Sequence, residues 1–319
     1  MTRPPLNPQA FTSSLRARAT NTSKTTGIPT RELLERYYHR RLLARVFHTD
    51  GEGWVLKGGQ ALLVRWPKAR YSTDVDLLHT VEEATIDDAV AALITAVSTE
   101  LDDYLRFDHH DTSRESAGNR PSRKVRFRVM FGLRQLTMVS VDVVVAGLAP
   151  QGDLLVEQLV APFTVDSSPW PMIRMWPLED HVADKIAAMY ERHGERLRPS
   201  TRFKDLVDLM LIANNSTMDG AITHAALRTE VLRRQTAGTH LVLPDAFAVP
   251  DPAWSAGYRA EAAKAHELPD DLRTLDSATP LADAFITPLL GQEAPQGMWQ
   301  CANRAWDPTA DEAAPVSQG

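Results

Sequence analysis

The chain has a single cysteine, Cys301, among its 319 residues. One thiol excludes an intrachain disulfide framework and any cysteine-rich zinc module, and it fits a reducing compartment. Long apolar runs are also missing: none approaches the roughly 18 residues that read as a membrane-spanning helix. The amino-terminal stretch MTRPPLNPQAFTSSLRARA contains no apolar segment of the kind a secretory signal needs. No acid occurs before Glu32. By composition that region resembles an organelle transit peptide, but its prolines argue against the amphipathic helix such peptides form. The expectation is a cytoplasmic protein that does not associate with membranes.

What is present points to a folded chain with more than one core. Apolar residues make up 43% of the sequence, and the length favours two domains or one domain with large additions. The net charge of −6 would argue against a polyanionic partner, but it is unevenly placed. Eleven acids against four bases lie from Asp251 onward, which leaves the first 250 residues close to neutral. Within that part, Arg120, Arg123, Lys124, Arg126, Arg128 and Arg134 follow one another with no acid among them. Such a run is a candidate contact for RNA phosphates, or else a solvated basic strand.

Periodicity divides the chain. Residues 1–27, rich in Pro, Ser, Thr and Asn, read as a flexible arm. Residues 28–150 read as a mixed α/β core. It opens with the amphipathic helix TRELLERYYHRRLLARVF and continues through a short apolar strand, Trp54 to Leu56, a double glycine, and a short helix. A strand at Asp74 to Leu78, a helix from Ile86, and the strands Lys124 to Phe131 and Met138 to Val145 follow. Residues 151–177 form a connecting segment, residues 178–290 a helical lobe, and residues 291–319 a poorly ordered acidic tail. The fold class is therefore α/β (α+β), a mixed sheet flanked by helices followed by a helical lobe.

Chemistry concentrates where Gly58 and Gly59 are followed by Asp74 and Asp76. Residues i and i+2 of a strand share a face, so the two aspartates project side by side. Their repulsion is relieved by a hard divalent cation such as Mg2+, or by solvent if the pair merely ends an exposed strand. Glycines at a strand end let backbone N–H groups approach an anion, and the helix that begins there directs its positive end to the same point. Lys57 could add charge. Asp142 interrupts the β-branched run SVDVVV. If its strand neighbours the first, three carboxylates converge; otherwise it lies on a solvated face. In the helical lobe, Lys185 sits at the edge of an apolar stripe, and Asp205 and Asp208 lie one turn apart in an apolar helix. These three either pair with one another or meet a bound nucleotide.

The succession WVLKGGQALLVRW, YSTDVDLL, PLEDHVADKIAAMYERHG and STRFKDLVDLMLIA resembles the AbiEii/AbiGii nucleotidyltransferase toxins of type IV toxin–antitoxin systems, over roughly residues 28 to 215. The resemblance implies a nucleotidyltransferase fold related to DNA polymerase β, followed by a helical lobe. It also implies transfer of a nucleotide from an NTP, in some members to a tRNA 3′ end. Gly58 and Gly59 match the family's GS motif, with glycine where serine is usual, and Asp74 and Asp76 match its DxD. Lys185 matches the helix lysine, Asp205 the helical aspartate, and Asp208 the second acid of that element.

These matches imply that Asp74, Asp76 and Asp142 hold two Mg2+ ions and that Gly58, Gly59, Lys57, Lys185 and Asp208 contact the nucleotide. Asp74, Asp76, Lys185 and Asp205 are the expected catalytic residues. The basic residues from Arg120 to Arg128, with the arginines from Arg31 to Arg45, are expected to meet an RNA acceptor, tRNA first. Transfer to a protein hydroxyl and a noncatalytic binding module on the same fold are the alternatives. Ser72 adjoins the aspartates, so a negative group attached there would oppose them and inactivate the protein. A monomer with a cognate antitoxin and a role in phage defence complete the expectation.

Overall fold

The computed structural model describes residues 8–117, 120–145, 147, 149–164 and 170–308. They form two units: residues 1–149 with 154–175, and residues 150–153 with 176–319.

The first unit is built on a seven-stranded mixed sheet. Its elements are α1 (Pro8–Thr26), α2 (Thr30–Thr49), β1 (Trp54–Lys57), α3 (Gly58–Arg65), β2 (Asp74–His79) and α4 (Ile86–Val97). The long strands β3 (Leu105–Ala117), β4 (Arg120–Phe131) and β5 (Arg134–Val145) follow, then the short β6 (Leu155–Gln158) and β7 (Met172–Met175). The strand order is β3-β4-β5-β2-β1-β7-β6. β1 and β2 are antiparallel, whereas β2 and β5 are parallel, so the centre of the sheet is mixed. Alternation explains the core: Val75 and Leu77 of β2, Val125, Phe127 and Val129 of β4, and Val139, Val141 and Val143 of β5 are all buried. The residues between them project to the other face.

Three expectations are corrected here. Residues 1–27 are not an arm throughout, because Pro8–Thr26 form α1 and bury Phe11, Leu15 and Ala19. Those residues recur every fourth position, which places them on one face of a helix. The connecting segment contributes two strands to the sheet, β6 and β7. Of the α2 arginines expected to contact phosphate, Arg31 is exposed and pairs with Glu35, whereas Arg36, Arg40, Arg41 and Arg45 are buried. Arg41 and Arg45 are fully buried and share the carboxylate of buried Asp103, at 2.5 Å and 2.8 Å.

The second unit is mainly helical: α5 (Leu178–Tyr190), α6 (Phe203–Asn215), α7 (Gly220–Thr236), α8 (Trp254–Ala262) and α9 (Leu275–Leu290). Arg234 of α7 pairs with Asp184, Glu191 and Glu230, tying α7 to α5 and the strand that follows it. The segment after residue 290 is not without structure: residues 291–308 carry two further strands. Strands Met298–Gln300 and Ala305–Asp307 pair, and Trp299, fully buried, packs edge-on to Phe285 at 4.7 Å while Trp306 stacks on the same ring. Aromatic anchoring therefore outweighs the low periodicity of this stretch. Residues 309–319 lie outside the described residues.

Candidate active site

The register of the first unit sets five side-chain positions in one lateral row. Lys57 of β1 pairs with Asp76 of β2, Asp76 with Asp142 of β5, Asp142 with Lys124 of β4, and Lys124 with Ser113 of β3. Register partners project to the same face, so Asp142 joins the DxD pair through topology, not through proximity in sequence. Asp74, one step along β2, lies opposite Ser140.

The β1–α3 junction explains the double glycine. Gly58 begins α3 with φ +63, in the left-handed region that glycine enters without penalty. A β-carbon on it would lie 1.8 Å from Asp76 Oδ2, so the missing side chain is what lets the carboxylate reach the backbone. A β-carbon on Gly59 would lie 2.6 Å from the β-carbon of Ser72. Glycine at the position where the family has serine is thus tied to Ser72, whose backbone carbonyl accepts from Gln60 Nε2 at 2.6 Å. The N-terminus of α3 favours negative charge at this point, whether the Asp76 carboxylate or a phosphate.

Lys124 stands among the carboxylates. Its Nζ lies 3.6 Å from Asp142 Oδ1 and 4.0 Å from Asp74 Oδ1. Thr73 Oγ1 donates to the other oxygen of Asp74 at 3.3 Å, and Ser72 Oγ to the Asp74 backbone carbonyl at 3.3 Å. Among the described residues, no group of three or more His, Cys, Asp or Glu side chains is disposed to hold a metal as it stands. The cation that stands within 4.0 Å of both Asp74 and Asp142 is the Lys124 ammonium. The donors are hard carboxylate oxygens, the class that Mg2+ takes, and the pair already attracts positive charge. In donor chemistry, though not as a formed three-ligand group, the residues present fit a divalent cation.

The basic run on β4 is less positive than its sequence suggests. Arg123 reaches Asp87 of α4 at 3.3 Å, Arg126 reaches Asp111 of β3 at 2.8 Å, and Lys124 faces the aspartates. Arg128 is exposed beside Asp108, whose two carboxylate oxygens accept from Arg106 Nε at 2.6 Å and Nη2 at 3.0 Å. Arg120 begins β4, and its side chain lies outside the described residues. Acids on neighbouring strands were invisible to a reading along the chain.

In the second unit, Lys185 of α5 donates to Asp205 Oδ1 at 3.2 Å and to Asp208 Oδ2 at 2.7 Å, both on α6. All three are buried, and Arg202 also pairs with Asp205. Buried Lys185 thus meets two buried carboxylates, and Arg202, whose side chain is about half exposed, adds a second cation to Asp205, so the buried charges are paired. A separate cavity of about 630 Å³, bordered by Arg45, Tyr104 and Phe107, includes none of the expected catalytic, nucleotide-binding or metal residues.

A mixed sheet that places paired aspartates beside a glycine turn and the start of a helix is the framework of a nucleotidyltransferase. The chain belongs to the family described as Nucleotidyl transferase AbiEii toxin, Type IV TA system, which it matches over residues 41–286. No curated protein matches it. Among solved structures it is similar to MenT4, nucleotidyltransferase toxin Rv2826c from Mycobacterium tuberculosis H37Rv, at 18% identity and a TM-score of 0.48, covering 80% of this chain and 91% of that one. It is also similar to JHP933 from Helicobacter pylori, at 13% identity and a TM-score of 0.38, covering 63% of this chain and 76% of that one. Family membership makes the protein a nucleotidyltransferase and the toxin component of a type IV toxin–antitoxin system. No helix among the described residues is long and apolar enough to cross a membrane.

Proposed function

We propose that the protein transfers a nucleoside monophosphate from an NTP to an RNA 3′ end, with tRNA as the preferred acceptor, and so stops growth of a cell that lacks its antitoxin. The observation that carries this reading is the meeting of Asp76 with Gly58 at the start of α3, alongside Asp142 and Asp74. It supports a reading in which Asp74, Asp76 and Asp142 take a cation and the start of α3 takes a phosphate. The acceptor oxygen attacks the α-phosphorus, the bond to the β,γ-pyrophosphate breaks, and the hydroxyl proton leaves to solvent.

Gly58 and Gly59 offer backbone N–H groups to the donor's phosphates, and Lys57 adds charge beside them. Asp74, Asp76 and Asp142 are the residues that would hold Mg2+, two ions in our reading. Bound there, the metal would assist formation of the attacking alkoxide and balance the charge of the departing pyrophosphate. Lys185 is assigned to the triphosphate. Asp205 is held by both Lys185 and Arg202, and Asp208 by Lys185. We therefore read Asp205 and Asp208 as positioning residues for Lys185. Arg128 and its neighbours on β4 are assigned to acceptor phosphates. The protein acts in the cytoplasm as a monomer.

Sequencing RNA 3′ ends after induction tests the cellular claim. Nucleotides added to tRNA 3′ ends in the wild type, and absent for Asp76→Ala, are expected. Arrested growth with unaltered tRNA ends and nucleotidylated protein would overturn it in favour of a protein acceptor.

A further inference from the structure

The basic run on β4 was expected to serve RNA as a whole, yet Lys124 points its ammonium at the carboxylates instead. Its separations of 3.6 Å from Asp142 and 4.0 Å from Asp74 are ionic contacts longer than an N–H···O hydrogen bond. Register explains the placement. Lys124 is the β4 partner of Asp142, which is the β5 partner of Asp76, so three adjacent strands bring one cation into the row of acids, within ionic reach of Asp142 and Asp74. An ammonium so placed lowers the mutual repulsion of Asp74 and Asp142.

We infer that Lys124 is the resident counter-ion of the aspartate cluster and competes with the divalent cation for it. The inference rests on the metal-dependent reading of the site and adds a residue that tunes it. An ammonium partner stabilises the carboxylates without metal and must give up Asp74 and Asp142 when a divalent ion takes their oxygens. Removing the charge while keeping the length of the side chain should therefore strengthen metal binding. Lys124 is partly solvated, with 19% of its side chain exposed, so its contribution is that of a surface ion pair. That corresponds to about two- to fivefold in affinity.

The test is a titration of the full-length protein with Mn2+ in the absence of nucleotide, read by the electron paramagnetic resonance signal of free Mn2+. Lys124→Met should bind Mn2+ about threefold more tightly than wild type, and Lys124→Arg, which keeps the charge, should stay near the wild-type value. Asp142→Asn should bind more weakly than wild type. Lys124→Met binding no tighter than wild type, while its thermal transition shows it folded, overturns the inference alone. Wild type failing to bind Mn2+, or binding it as Asp142→Asn does, overturns the metal reading beneath it. If Lys124→Met does not fold, Lys124→Gln takes its place, with the same tightening expected and the same absence of tightening decisive.

Discussion

Asp76 occupies the space that a side chain at Gly58 would need: a β-carbon there would stand 1.8 Å from its Oδ2. Gly58 also has φ +63, which costs an L side chain about 1 kcal/mol or more. Gly58→Ala should therefore displace the Asp76 carboxylate as well as strain the turn. The expected outcome is nucleotide transfer reduced at least a hundredfold, with a thermal midpoint lowered by only a few degrees. Transfer at the wild-type rate would show that the close approach is irrelevant.

Gly59 and Ser72 form a second tight pair. Gly59→Ala should be destabilising, because its β-carbon would meet the Ser72 β-carbon at 2.6 Å. Combining it with Ser72→Gly removes that clash, and the two changes should couple by about 1 kcal/mol or more in urea unfolding. Simple additivity would argue that the turn yields freely.

Lys185 neutralises two buried acids, so Lys185→Met leaves Asp208 without that cation and Asp205 with Arg202. Loss of one partner of a buried pair costs about 3–5 kcal/mol. Chemical unfolding should show a loss of that order. Adding Asp208→Asn to Lys185→Met should recover part of it, since an amide is cheaper to bury than a lone carboxylate. Nucleotide affinity of the double variant, measured by calorimetry, then separates a phosphate contact from a structural role.

His39 is buried and keeps its proton off. Burial, then the charges of Arg40 and Arg36, push its pKa down to about 3. Its Nδ1 lies 2.9 Å from Gln60 Nε2, where the amide donates and a neutral ring accepts. The unfolded chain takes up a proton near pH 6.5 and the folded chain does not, so stability falls as pH drops from about 6.5 towards about 3. Between pH 7 and pH 5 this group alone should cost about 2 kcal/mol. His39→Gln should lessen the loss by that amount in urea titrations at the two pH values; an unchanged pH dependence would contradict the assignment.

Local pattern made part of this site legible. The strand, double glycine, helix and DxD strand are consecutive, and alternation alone puts Asp74 and Asp76 on one face. Asp142 was visible as an acid in a β-branched run, but only the parallel register of β2 and β5 sets it beside Asp76. The role of Lys124 was hidden because β4's neighbours lie across the sheet: the same register that aims Lys124 at Asp142 gives Arg126 to Asp111. Helix α1 did leave a signal, in the fourfold spacing of Phe11, Leu15 and Ala19, which the surrounding Ser, Thr and Pro obscured. The burial of Arg41 and Arg45 depends on Asp103, far along the chain, and no local pattern carries that.

The most direct measurement incubates the purified protein with each α-labelled NTP, Mg2+ and deacylated tRNA, and follows label at the tRNA 3′ terminus together with pyrophosphate release. The account predicts labelled tRNA and stoichiometric pyrophosphate for the wild type and neither for a folded Asp76→Ala. Label equal in the two proteins, or confined to protein while tRNA stays unlabelled, would contradict it.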